Sequence, residues 1–300
     1  MAPFTTLDVS LTGAVLTVRV SNPPTDLLDG EVMADVDELG RRLRRDRRVR
    51  AVVLSGPRPG VFIPHYDLAE IVDGAEALGL PTPYPVARAA VALVAGLARL
   101  PGAHQALAHT PAAGLVALHR THATLNRFGT LPQIIIAAID GDALGGGCEV
   151  ALACDLRLMG DGDYLFGLPE LTAGIPPGAG GSVRLTRALG PARAAAMILT
   201  SRTLSPAQAL AAGLVSEVVP AGDVAQRAQD WAADLAQRNP AAVIAAKRAI
   251  RTASVSVESA GFVSAASGAA AVAALREFVT GADPEHGRTG WRDRSALPRR

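Results

Sequence analysis

Two isolated glutamates, each close to a cluster of glycines, are the side chains of this 300-residue chain best suited to proton chemistry. Glu149 lies in residues 134–155, IIIAAIDGDALGGGCEVALACD, and Glu170 in residues 164–185, YLFGLPELTAGIPPGAGGSVRL. A carboxyl group can accept or deliver a proton near neutral pH when its surroundings tune it. Gly145, Gly146 and Gly147 strip the turn ahead of Glu149 of side chains, so an outside group can approach the amides closely. In the first turn of a helix those amides lack intrahelical partners and carry the positive end of the dipole, which suits an oxygen that is or becomes negative. Each piece also has a plainer use: glycine turns commonly join strand to helix, and a first-turn glutamate complements the dipole. Gly178, Gly180 and Gly181 make a second glycine turn after Glu170.

The elements that must hold these acids are readable from periodicity. Residues 134–139 form a short β-branched run, expected as a strand covered on both faces, and the glycines lead it into a buried helix. Residues 7–20 read as two strands around Thr12-Gly13. Residues 29–45 have helical spacing through Val32, Val36, Leu39 and Leu43, and residues 49–54 return as a strand. Two further helices are expected over 88–100 and 111–127, broken at Pro101-Gly102. From Leu199 onward the pattern is read as almost purely helical, with Ser205-Pro206 as a helix start, helices at 231–235, 241–251 and 257–279, and a frayed polar tail after Gly281.

In combination, GGGCE with its ALACD helix and the later F-G-x-P-E with PGAGG resemble the crotonase (enoyl-CoA hydratase/isomerase) superfamily. The resemblance implies an α/β fold of stacked ββα units with a C-terminal helical trimerisation region. It divides the chain into a core at 1–200, a helical region at 201–280 and a flexible tail at 281–300. The family segment equivalent to 73–127 is shorter by roughly forty residues, and structureless loops of that length are uncommon, so this insert is expected to be helical, as a lid over the acyl pocket or a surface for a neighbouring subunit. The implied activity is hydration of a 2-enoyl-CoA thioester or the reverse dehydration, with Glu149 and Glu170 as the catalytic acids. The backbone N–H groups of Tyr66 and Gly146 would form an oxyanion hole. Pro64, His65, Asp67, Leu68, Gly145, Pro169 and Gly178 would surround the substrate. Residues 61–71, VFIPHYDLAEI, depart from the family's F-x-A-G-A-D-like loop at Pro64 and His65, and Ala69 stands where many relatives carry a phosphate-reaching lysine. No separate cofactor or metal is implied, coenzyme A being part of the substrate, and relatives assemble as homotrimers or hexamers. A double-bond isomerase of the same fold needs one carboxylate, so the pair favours a hydratase. Outside enzymology the alternative is a non-catalytic scaffold or RNA-binding member.

Composition narrows the other classes. At 49% apolar residues the chain can bury a sizeable core, and a net charge of +1 supplies no general field for nucleic acid or acidic lipid. The basic run RRLRRDRRVR lacks interleaved aromatics and reads as a solvated helix end, with attraction of coenzyme A phosphates as the alternative. Cys148 and Cys154 fit neither a disulfide framework nor a metal pattern and are expected in the core. His119 and His122 lack a third ligand, and His65 lacks a nucleophile to activate. The first residues have no secretory pattern and no apolar run is long enough for a bilayer, so a cytoplasmic protein without membrane partners is expected. There is no G-x-S-x-G elbow, no phosphate-loop lysine and no G-x-G-x-x-G spacing.

Overall fold

The computed structural model describes residues 3–280 other than 80, 99, 101, 103–105, 108, 109 and 111. The hairpin β1 (Leu7–Thr12) and β2 (Val15–Val20) turns on Gly13 and pairs antiparallel. Helix α1 (Gly30–Leu43) starts at Asp29, whose side chain accepts from the Val32 N–H, and delivers the chain to β3 (Ala51–Ser55). Helices α2 (Leu68–Leu78), α3 (Tyr84–Leu97) and α4 (Ala113–Phe128) follow. The break expected at Pro101 and the tail after Gly281 lie outside the described residues.

Strand β4 (Ile134–Ile139) is buried along its whole length and lies between β3 and β6 (Leu156–Asp161), parallel to both. Its side chains alternate between two cores. Ile135, Ala137 and Ile139 join Phe62, Phe128 and the α1 side chains, whereas Ile134, Ile136 and Ala138 meet Val224, Ala228 and Ala232 of helix α9 (Val224–Leu235). Each isoleucine so buried contributes about 1.5–3 kcal/mol, which makes this strand the axis of the molecule. The main sheet has the order β1-β2-β3-β4-β6-β9, the last strand being Glu217–Pro220.

After β4 come β5 (Ala143–Leu144), helix α5 (Gly146–Ala153), β6 and β7 (Phe166–Gly167). A single 3-10 turn covers Glu170–Ala173, and α6 (Gly181–Leu189) and α7 (Pro191–Leu199) complete the layer. The region beyond Leu199 is not purely helical. Strand β8 (Thr203–Leu204) pairs with β7, and β9 (Glu217–Pro220) extends the main sheet beside β6, with α8 (Pro206–Ala211) between them. Both strands are too short for a period of two to declare itself, and their pairing partners lie far away along the chain.

The C-terminal helices are α10 (Pro240–Thr252), α11 (Val255–Ala266) and α12 (Ala269–Thr280); the single helix expected over 257–279 is broken at Ser267-Gly268. Neither α10 nor α11 has a buried residue, and Ile250 and Phe262 are 81% and 72% exposed. Lys247 nevertheless fastens α10 to the core, donating to the Gln133 carbonyl and, at 2.6 Å, to Asp155, which itself accepts from the Ile135 N–H. Among the described residues no single helix is long and apolar enough to cross a membrane; α11 with the start of α12 reaches that length only as a pair bent by 79°.

The arginine run serves the C-terminal end of α1. Arg41 and Arg42 pair with Asp37 and Glu38, Arg48 with Asp46, and Arg44 reaches Thr130 ahead of β4. It therefore lies at the end of β4 opposite the glycine turn, a strand's length of about 20 Å away.

Candidate active site

Backbone pairing brings the sequence-distant acids together. Strands β5 and β7 run parallel, Gly145 N–H donates to the Gly167 carbonyl at 2.9 Å, and Glu170 follows three residues after Gly167. A Cβ on Gly145 would lie 3.5 Å from a Glu170 oxygen, so the turn and this carboxyl are in contact. On the other side, Leu144 N–H donates to the Pro64 carbonyl, and Leu28 and Tyr66 form a parallel bridge through His65 O and Asp67 N. That bridge uses the residues flanking Tyr66 and leaves the Tyr66 amide outside the ladder. A Cβ on Gly146 would come within 3.2 Å of that amide nitrogen, so only glycine lets the two backbones approach this closely.

Glu149 stands in the first turn of α5 and is 3% exposed. Its Oε1 accepts from the N–H groups of Ala179 and Gly181, both at 2.7 Å, and a Cβ on Gly181 would collide with that oxygen. Burial pushes its carboxyl up, opposed by those two amides and by the Arg184 guanidinium. Glu170 differs. Burial, with a smaller push from the Glu149 charge, raises its carboxyl from 4.5 to about 7, and its Oε2 has no hydrogen-bond partner among the described residues. Two carboxyls that feel each other titrate as a pair, and here the surroundings favour the anion on Glu149 and the proton on Glu170.

The remaining expected residues divide into those at the turn and those behind it. Pro64 and Gly145 are within the backbone stitching described above. His65 turns its Nδ1 to the Tyr66 carbonyl at 2.7 Å, and Asp67 caps α2 by accepting from the Ala69 N–H. Leu68 is 48% exposed on the first turn of α2. Pro169 precedes the 3-10 turn, and Gly178 lies against Leu118 of α4. The Tyr66 side chain leaves the turn to bond Glu70, which in turn accepts from Gly30 N–H at the start of α1; burial and Glu70 push its phenol upward. Cys148 and Cys154 are buried core thiols, raised by burial, Cys154 to about 12.

Sequence reasoning did not find the amides that hold Glu149, nor the arginine behind them. Arg184 donates to the Ala179 carbonyl at 2.7 Å and to Asn126 of α4 at 3.0 Å, and His122 hydrogen-bonds the Gly178 backbone. The available signal was PGAGG leading into a helix, the same arrangement of free amides that marked the first glycine turn.

Comparison with known proteins gives the same outline. The 2,3-dehydroadipyl-CoA hydratase of Escherichia coli (strain K12) is 42% identical over 139 residues, 43% of this chain and 53% of that protein.

 The matched stretch is 53% of the Escherichia coli protein and 51% of a Mycobacterium bovis relative that is 44% identical over 131 residues, so the chain spans about half the length of the curated relatives it matches. Among solved structures, the enoyl-CoA hydratase from Bacillus anthracis superposes with a TM-score of 0.73 at 26% identity, covering 92% of this chain and 96% of that one. The Geobacillus kaustophilus structure gives 0.74 at 25% identity, covering 93% and 95%. The family model described as enoyl-CoA hydratase/isomerase matches residues 106–288, which is more than half of the chain and includes both glutamates and both glycine turns. The chain belongs to the enoyl-CoA hydratase/isomerase family.

Proposed function

We propose that this protein adds water across the double bond of a 2-enoyl-CoA thioester to give the 3-hydroxyacyl-CoA, or runs the reverse dehydration. The observation that carries the reading is the unequal pair of acids at the glycine turn: Glu149 held by two amides, Glu170 raised to about 7. Glu149 takes a proton from water as the oxygen bonds to the β-carbon, and Glu170 gives its proton to the α-carbon. The thioester oxygen, negative in between, accepts from the Tyr66 and Gly146 N–H groups, each worth about 3 kcal/mol in an organised site. The experiment is a spectrophotometric screen of 2-enoyl-CoA esters of increasing acyl length, read as loss of the conjugated thioester band. Conversion of a 3-enoyl-CoA without any hydration would make the protein an isomerase instead.

The same arrangement sets the pH dependence. Before and after addition the pair holds one proton and differs only in which carboxyl carries it, so hydration and dehydration share one bell-shaped kcat/KM profile. Its basic limb falls where Glu170 loses that proton, at about 7. Profiles measured in both directions check this; a rate still flat at pH 9 contradicts it.

A homotrimer, or a hexamer of two trimers, is part of the proposal. It is supported by the apolar side chains that α10 and α11 leave uncovered, Ile250, Val255, Phe262 and Val263. Light scattering is expected to give a trimer or hexamer mass, and Phe262→Asp to lower it.

A further inference from the structure

We propose that Arg184 is a positioning residue for this site: it ties the Ala179–Gly181 turn to helix α4 and presents its charge to the Glu149 carboxylate from behind. The guanidinium passes over Gly180, whose Cβ would lie 2.5 Å from one of its nitrogens, and donates on one side to the Ala179 carbonyl and on the other to Asn126. The peptide unit that receives this bond, Ala179–Gly180, lies between the two units whose N–H groups grip Glu149 at 2.7 Å. Arg184 thus fixes the donors and adds a positive charge without meeting the substrate. Its reach depends on glycine at 180, where φ is +95°.

The groups that interact electrostatically with Glu149 are Arg184 from α6, Glu170 from the 3-10 turn and Cys148 on its own helix; Arg187, and His122 from α4, act on Arg184 in turn. Cys148 is neutral because burial raises it, so Arg184 is the cation opposing the burial of Glu149. Removing it makes the carboxylate harder to ionise.

This inference rests on the hydratase reading for its kinetic consequence alone. The test compares wild type, Arg184→Met, Arg184→Lys and Asn126→Ala as full chains. In kcat/KM profiles the acidic limb, where Glu149 takes up a second proton, moves to higher pH in Arg184→Met, and Lys restores most of it. Asn126→Ala, an exposed change that spares the fold, moves it less in the same direction. A carbon-13 titration of labelled glutamates, with the Glu149 signal identified by its loss in Glu149→Gln, reads the same shift without turnover. If wild type hydrates nothing, the functional reading falls and the titration still decides the role of Arg184. An unmoved Glu149 titration in folded Arg184→Met overturns it, as does loss of stability with no change in limb position.

Discussion

Glu149→Gln and Glu170→Gln are each expected to lower kcat for hydration by about a hundred- to ten-thousandfold, the range general acid–base groups contribute. Glutamine keeps the shape and, at position 149, an oxygen that can still accept from Ala179 and Gly181, so the fold and the binding of a saturated acyl-CoA should change little. The double variant should lose scarcely more than either single one, because the acids act in one proton transfer sequence. Near-wild-type turnover in either single variant would defeat the assignment. Stability separates the two acids. A carboxyl whose folded value is raised from 4.5 to about 7 favours the folded state fully below 4.5, and that contribution is lost as pH rises through 7. Glu170→Gln should therefore raise Tm at pH 8 relative to wild type, with the gain vanishing by pH 4.

Gly147→Ala should damage both stability and turnover. A Cβ there would lie 1.9 Å from the Ile63 carbonyl oxygen, and the obstacle is backbone, which cannot swing aside as a side chain does. Either α5 or the segment from Ile63 to Tyr66 must shift, and overpacking of this kind costs about 3 kcal/mol or more. Displacing that segment also moves the Tyr66 amide, and loss of one such donor costs about a hundredfold in kcat. Chemical denaturation and steady-state kinetics of the variant check both effects. Gly96→Ala is the matching control: nothing lies within 4 Å of its added methyl inside α3, and it should stabilise by up to about 1 kcal/mol. Equal behaviour of the two variants would show that the close approach at Gly147 has no consequence.

Much of the framework is legible in the sequence because its signals are local. Six consecutive apolar residues mark β4, Asp29 caps α1 where periodicity begins, and GGGCE opens a helix on an acid. Pairings set by distant backbone are not legible. Strand β9 finds β6 across some sixty residues, as Leu158 beside Glu217, and nothing in EVVP specifies that neighbour. Arg184 looks like any surface cation of an amphipathic helix until the fold brings Ala179 and Asn126 to either side of it. The nearness that lets the Glu149 charge act on Glu170 is likewise tertiary: it depends on β5 lying beside β7.

Helix α5 is buried at every residue, whereas α2 has no buried residue and α3 only Val94. Local opening costs least where little is packed away, so thermal motion concentrates in the two outer helices and spares the floor. Rearrangement of α2 and α3 can therefore proceed without disturbing the buried helix that carries Glu149.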